Sequence, residues 1–556
     1  MFKSPRFFAG SVLIALCWTV QTPPQSFAQT SELTAHDNHA LLYARQLGFS
    51  AGNTPTVRIR IADGLDELKF TPRGDIVVMA SENSGPAITL RGNKTYRVTL
   101  EDSRPGVYAY ASILARAESP AQLEPAREYC KLHHIPVETE TLGALFALKG
   151  SVFDNRETLL LSPKTPNPSE AQNVSPLPDS LSGDPSNDLY TELKEYPVAR
   201  IVFKDDSGSV QIANENFLRI NLPDAGATLH SIPDEHGKLA PFILNAQLIV
   251  TPDQHGKLAV LQSADVETIL RGIVPAEIFA TAPEPALMAQ AIAARTTLIA
   301  QAGARHQADP YHICNHQHCQ VYRGLSGAHH NTDRAIQKTR GQILMDDKKP
   351  AATYYASHCG GISAGSDETW GLPPKTYLQT LSDDLAHRPV SFRNDREFRA
   401  WLDQNEARYC ASAPKEQKPF ASTKYAHWTT RVEIAQLQDA LKKAGQNLGT
   451  IQNVEILRRG PSYRATHIRI TGSAGTFELQ HELTIRRFFG GLKSALFVMT
   501  PVRSGNQITA IEFEGAGFGH GVGLCQTGAI GMAQRGASAE DILMHYYPGT
   551  ALKTIY

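Results

Sequence analysis

Residues 270–300 read LRGIVPAEIFATAPEPALMAQAIAARTTLIA, and the rest of the chain is organised around this stretch. Pro275 restricts the backbone just ahead of Glu277, which the pattern places on a turn among Val274, Ile278 and Phe279. Those apolar neighbours bury part of the carboxylate. Pro285 suits the first turn of a helix. Leu287, Ala291, Ala294 and Leu298 then fall on one face of it, and the alanines permit close backbone packing. Gln290 and Arg295 are polar residues within the same helix. A carboxylate held before a buried helix suits acid–base chemistry. On this stretch alone, Glu277 as a surface turn residue and Arg295 as a solvated helix residue fit equally well.

The chain has 556 residues and a net charge of −1. Its length suggests about two to four domains with ample core. The charge balance removes any electrostatic case for nucleic acid or anionic lipid. At the N-terminus, Lys3 and Arg6 precede an apolar run over 7–20 that is short for a membrane span. Ser26-Phe27-Ala28 offers a cleavage site, so 1–28 reads as a secretory signal; a short membrane anchor is the alternative. No second long apolar run follows, so the mature chain is expected to be exported, to the periplasm or the cell wall, with no membrane span after signal removal. Six cysteines remain: Cys130, Cys314, Cys319, Cys359, Cys410 and Cys525. Export permits disulfides, and spacing chooses no pairing.

In chain order, 29–54 reads as a flexible arm. Residues 56–62, TVRIRIA, alternate like a half-buried strand, and short strands continue to about residue 100. Residues 107–160 change to a small α+β pattern with a helix near 120–133. This module, taken as 55–161 with the strands before it, is similar in pattern to the peptidoglycan-binding repeat of sporulation and division proteins. Residues 162–190 are dense in Pro, Ser, Asn and Asp, the composition of a linker. The main domain is expected over 199–556, with a polar helical excursion at 394–446 (helices over 396–406 and 434–443) and strands at 454–457, 467–470 and 476–479. The expected class is α+β: mixed sheets with packed helices, in more than one domain.

Three further stretches carry chemistry. Residues 306–324, HQADPYHICNHQHCQVYRG, hold His306, His312, Cys314, His316, His318 and Cys319. Two thiolates and two imidazoles satisfy tetrahedral zinc; a Cys314–Cys319 disulfide closing a short loop is the alternative. Residues 351–371, AATYYASHCGGISAGSDETWG, place Ser357, His358, Ser363, Asp367 and Trp370 around a Gly360-Gly361 turn. Trp370 is either a platform for a sugar face or a core residue. Residues 515–523, GAGFGHGVG, do not fit the dinucleotide fingerprint; they suggest a backbone against which something packs closely. His520 there lines a groove or satisfies the core. A small-residue helix over 526–533 follows, and Ser538 with Asp541 caps the last helix.

Together these motifs resemble the SpoIID/LytB family, named for the stage II sporulation protein D and the amidase enhancer. The carriers are LRGIVPAEIF, ALMAQAIAARTTLIA, CNHQHCQVYRG, TRGQILMDDKKPAATYYASHCGGISAGSDETWG and GAGFGHGVGLCQTGAIGMAQRGASAEDILMHYYPGT, spread from about residue 199 to the C-terminus. The resemblance implies an exported protein acting on peptidoglycan glycan strands, as a lytic transglycosylase that cleaves between N-acetylmuramic acid and N-acetylglucosamine. It maps the catalytic acid onto Glu277, with Arg295 and Tyr377 as further catalytic residues. Structural zinc falls on His306, Cys314, His318 and Cys319. His358, Trp370, His520 and Gln526 are expected to bind substrate. Gln379 stands where the sporulation enzymes carry a basic residue, a departure from the family pattern. Cys359 and Cys410 are the pair expected to form a disulfide. The alternatives are a non-catalytic glycan-binding enhancer of a cell-wall amidase, and a catalytic zinc hydrolase.

Overall fold

The structure is a computed structural model. It describes residues 35–50, 52–79, 87–148, 151–174, 177–178, 181, 189–208, 211–234, 237–386, 388–404, 407–411 and 423–556. The expected signal over 1–28 lies outside the described residues. Among those described, no helix is long and apolar enough to cross a membrane. The fold is α+β, with several sheets and packed helices in a multi-domain arrangement.

The Pro55–Leu65 strand alternates as its sequence dictates: Val57, Ile59 and Ile61 are buried, and the residues between them are half-buried. It pairs antiparallel with Leu258–Asp265, so that Arg60 faces Leu261. The sheet runs on through Gln247–Pro252, Leu218–Asn221, Ile76–Met79 and Ala87–Leu90. A six-stranded sheet likewise interleaves Tyr96–Arg104 and Glu67–Pro72 with Val198–Asp205 and Ala227–Pro233. The strands before the Pro/Ser-rich segment therefore complete the sheets of the strands after it. That differs from the expected separation of 55–161 from 199–556. Strand partnership is set by register between distant segments, which a local shift in composition does not reveal.

Three other expectations differ from the structure. The described part of the arm is docked, with an Ala35–Leu42 helix and a Gly48–Phe49 strand, and Leu42 and Leu47 are buried. His39 is buried beside Tyr196, the Tyr43 ring also packs on Tyr196, and Arg58 donates to the Ala44 carbonyl at 2.7 Å. In the Pro/Ser-rich segment, a short Pro168–Gln172 helix is capped by Asn167, and Ala171 and Leu177 are buried. The excursion at 394–446 contains the expected helices, Asp395–Leu402 and Ile434–Lys443, but also a Trp428–Glu433 strand that joins Gln507–Gly515.

Val107–Ala117, Glu138–Leu142, Glu157–Leu161 and Leu189–Glu195 form a four-stranded sheet. With the Glu124–Leu132 helix it has a small core of its own around Leu114, Leu123, Cys130 and Leu160. The centre of the molecule is the Glu284–Gln301 helix. Its residues from Ala289 to Ile299 are buried on every side, the signature of a helix enclosed by protein. Val266–Glu277, His330–Lys338, Gln526–Gln534 and Ala539–Tyr546 pack around it, and the alanines let them approach.

Candidate active site

Asp265 caps the Val266–Glu277 helix by accepting the Thr268 N–H at 3.0 Å. Pro275 lies in the last turn, and Ile278 leaves the helix in extended backbone while donating to the Val274 carbonyl at 3.0 Å. Glu277 is thus the last residue of a helix, not part of a free turn. A helix C-terminus disfavours added negative charge. The carboxylate accepts the Val321 N–H at 3.1 Å. Burial raises its pKa to about 7, opposed by the Val321 N–H, the Gln526 side chain and the Arg323 charge.

Glu277 opens onto a cleft of about 2160 Å³ that is also lined by Val321, Arg323, Tyr355, Trp370 and Gln526. Glu118, Gln122 and Arg156 of the small α+β module line it from another side. Glu118 also pairs with Lys375, another lining residue. Glu277 is half-buried. The Tyr355 hydroxyl donates to Gln320 Oε1 at 2.7 Å, and Gln320 anchors on the Ala294 carbonyl of the central helix at 3.3 Å. Burial, then the Glu277 charge, raises the Tyr355 phenol.

The structure brings several of the expected residues to the cleft. Trp370 is half-buried, its ring 4.7 Å from Tyr354 and 5.0 Å from His520. His520 accepts the Val522 N–H at Nδ1 (3.0 Å). Burial lowers its pKa to about 4, so its ring is neutral near pH 7. Gln526 opens the Gln526–Gln534 helix and donates to Gln290 Oε1 at 3.3 Å. Tyr377 is buried along the lining, its oxygen accepting the Ala352 N–H at 3.0 Å. The expected close approach at GAGFGHGVG is present: Gly517, Gly519, Gly521 and Gly523 all have positive φ. A Cβ on Gly521 would meet the Arg464 guanidinium.

Other expected residues lie elsewhere. Arg295 is completely buried and faces away from the cleft. Its Nε and Nη2 donate to the two carboxylate oxygens of Glu267 at 2.9 and 2.8 Å, and Nη1 and Nη2 reach the carbonyls of Gln342 and Ile336. It is neither a solvated helix residue nor a group at the cleft. His358 is also fully buried and outside the lining; its Nδ1 accepts the Gly360 N–H at 2.9 Å. Gln379 is exposed and offers only its backbone carbonyl, to the Ser363 hydroxyl. Sequence reasoning missed Gln320, Val321, Arg323 and Tyr355. Their signal was proximity, since 320–323 follow Cys319 directly and Tyr355 precedes the Gly360-Gly361 turn.

His306, Cys314, His318 and Cys319 converge, with one donor atom of each within 4.8 Å of the others. Cys319 Sγ lies 3.3 Å from His306 Nε2 and 3.5 Å from His318 Nδ1, and Cys314 Sγ lies 3.7 Å from His318 Nδ1. A tetrahedral ion with Zn–S near 2.3 Å and Zn–N near 2.0 Å spaces such donors about 3.6 Å apart, so the four fit a metal ion. The other imidazole nitrogen of His306 bonds Asp309 at 2.9 Å, as ligand histidines commonly do. Both thiols are free. His312 stands apart, its Nδ1 accepting the Arg58 N–H at 3.1 Å. The cluster adjoins the cleft through Cys319, His306 and His318.

The model of the stage II sporulation protein family matches residues 254–345, which include Glu277 and the whole His/Cys cluster. A domain of unknown function, DUF8618, matches residues 364–523. The amidase enhancer of Bacillus subtilis (strain 168) is 26% identical over 297 residues, 51% of this chain and 40% of that protein. The stage II sporulation protein D of Bacillus amyloliquefaciens is 25% identical over 347 residues, 59% of this chain and 86% of that protein. An uncharacterised protein of Brachyspira hyodysenteriae is 26% identical over 295 residues, 52% of this chain and 67% of that protein. These matches support a SpoIID/LytB family assignment for the chain.

Proposed function

We propose that the chain is an exported protein that cleaves peptidoglycan glycan strands as a lytic transglycosylase. The observation that carries this reading is Glu277: a carboxyl raised to about 7 on the wall of a large cleft with aromatic lining. A hydrolytic glycosidase uses two carboxyl groups, whereas a lytic transglycosylase needs one acid that becomes the base. Protonated Glu277 gives its proton to the glycosidic oxygen between N-acetylmuramic acid and N-acetylglucosamine as the C1–O bond breaks. The carboxylate then takes the proton of the muramic C6 hydroxyl while that oxygen bonds C1, closing a 1,6-anhydro ring without water. A group titrating near neutrality serves both steps. The Val321 N–H and Gln526 hold the carboxylate between them. Trp370 offers a sugar-stacking face, and the 107–161 module supplies a second wall for the strand.

His306, Cys314, His318 and Cys319 would hold zinc. Four protein donors leave no open position, so the ion would pin the loop that presents Val321 to Glu277.

The test is digestion of purified glycan strands, with products read by mass spectrometry. Wild type yields 1,6-anhydromuramic ends and Glu277→Gln leaves the strands intact. Wild-type products with reducing ends, or no products, would overturn the proposal. The similarity to an amidase enhancer favours one other reading, a glycan-binding protein that stimulates a cell-wall amidase. Stimulation that survives Glu277→Gln, with no anhydro ends from wild type, would establish that reading instead.

A further inference from the structure

A second constellation lies in the interior, formed by Cys359, Asp383, Cys410 and Cys525. One donor atom of each lies within 4.8 Å of all the others. All four side chains are buried, Asp383 with 1% of its surface exposed and Cys410 with 2%. They come from four separate segments: the Gly360-Gly361 turn, the 380s, residues 407–411 of the 394–446 excursion, and the residue that caps Gln526–Gln534.

The donor geometry suits a cation. Cys359 Sγ and Cys410 Sγ are 3.7 Å apart, close to the ~3.8 Å between two thiolates of one tetrahedral zinc. The surroundings are built for anionic sulfur. Cys525 Sγ accepts the N–H groups of Cys359 (3.2 Å) and Gly528 (3.3 Å), the second being the cap of a helix N-terminus. Cys359 Sγ accepts the Gly361 N–H at 3.3 Å. Asp383 is oriented by the Tyr546 hydroxyl at 2.6 Å on Oδ1 and the Cys410 N–H at 2.9 Å on Oδ2. Such outer contacts are typical of metal ligands. Arg464, fully buried, donates to the Cys359 carbonyl at 2.7 Å and adds positive charge nearby. His358 is completely buried in the field of Cys525 and Asp383.

A disulfide accounts for this arrangement less well. Joining Cys359 to Cys410 would use two sulfurs and leave Cys525 and a buried carboxylate turned toward an uncharged bridge. We infer that Cys359, Asp383, Cys410 and Cys525 form a second metal site, a closed structural zinc centre that ties residues 407–411 of the excursion to the helices under the cleft. Three thiolates and a carboxylate are a soft, tetrahedral set that selects zinc over calcium or magnesium. The site stands independently of the reaction proposed above.

The test is zinc content of the full chain by inductively coupled plasma mass spectrometry, with X-ray absorption at the zinc edge. Two zinc ions per chain are expected, with an average of about 2.5 sulfur ligands per zinc, two from one cluster and three from the other. Cys410→Ser is expected to retain one zinc with two sulfurs, and Cys319→Ser to retain one zinc with three. If either variant fails to fold, the wild-type zinc and sulfur counts still decide. Wild-type protein with no zinc bound by three sulfurs, or a zinc content that Cys410→Ser leaves unchanged, would overturn the inference. So would a Cys359–Cys410 disulfide in a peptide map of protein unfolded in alkylating agent.

Discussion

Glu267 and Glu277 stand near opposite ends of the Val266–Glu277 helix, separated by roughly 15 Å of axial rise. Glu267 is surrounded by donors: both nitrogens of the Arg295 fork, the Gly341 N–H at 3.2 Å and the Tyr556 hydroxyl at 2.6 Å. Glu277 has one backbone N–H, one amide side chain and a more distant arginine. The same residue type in the same helix is thus enclosed by donors at one end and sparsely held at the other, where burial raises its pKa. The difference lies in the supply of cations and donors, since both groups are removed from bulk water. Arg295 belongs to the first end. It ties the helix that carries Glu277 to the central helix and to His330–Lys338, and so positions the site without touching it.

The comparison can be broken by substitution. The largest effect is expected from Glu277→Gln, which should lower glycan cleavage about 10²–10⁴-fold while the fold persists, as checked by circular dichroism. Equal activity in the variant would return Glu277 to a structural role. Next, Glu267→Ala or Arg295→Met should each destabilise the protein by about 3–5 kcal/mol in urea unfolding, because each leaves a buried charge uncompensated. The double variant should lose less than the sum. Additive losses would mean that the pair is not the unit described.

The third expectation concerns pH. Burial raises Glu277 above its unfolded value, so the folded state holds that proton more tightly. The stability associated with this group is fully present below about pH 4.5 and is lost as pH rises through about 7. Glu277→Gln should therefore stabilise the protein above pH 7 by up to about 3 kcal/mol, and have no such effect at pH 4. Activity should fall through the same range as the acid form disappears. Parallel stability curves for wild type and variant from pH 4 to 8 would refute the shift. The smallest effect is expected from Arg323→Met. It removes a charge that lowers Glu277, and should move the alkaline limb of the activity profile upward by less than about one unit. A downward movement would show that Arg323 acts in another way.

The two cysteine clusters show where sequence reading stops. His306, Cys314, His318 and Cys319 lie within fourteen consecutive residues, so one short loop brings them together and their donor chemistry was legible from spacing. The family resemblance had already chosen four of the six candidates, and the coordinates bring those four together and set His312 against Arg58. Cys359, Asp383, Cys410 and Cys525 are spread over more than 160 residues. Cys359 and Cys410 read as a pair, but nothing in the sequence joined Cys525 or Asp383 to them. Trp370 shows a similar limit. Its two alternatives, platform or core, were both incomplete, because a ring can pack against Tyr354 and His520 on one side and face a cleft on the other.

Local pattern determined much of this protein. Alternation gave the Pro55–Leu65 strand, Pro285 and the alanine run gave the central helix, and Ser538 with Asp541 gave the last cap. These follow from steric and hydrogen-bonding rules that act within a few residues. The motif order was enough to point to the family and to Glu277. Tertiary structure alone decided the rest: which strands across the 162–190 segment share a sheet, that Arg295 serves Glu267, and that His358 is interior. Register, charge pairing and burial depend on partners far away in the chain, and no local pattern specifies them.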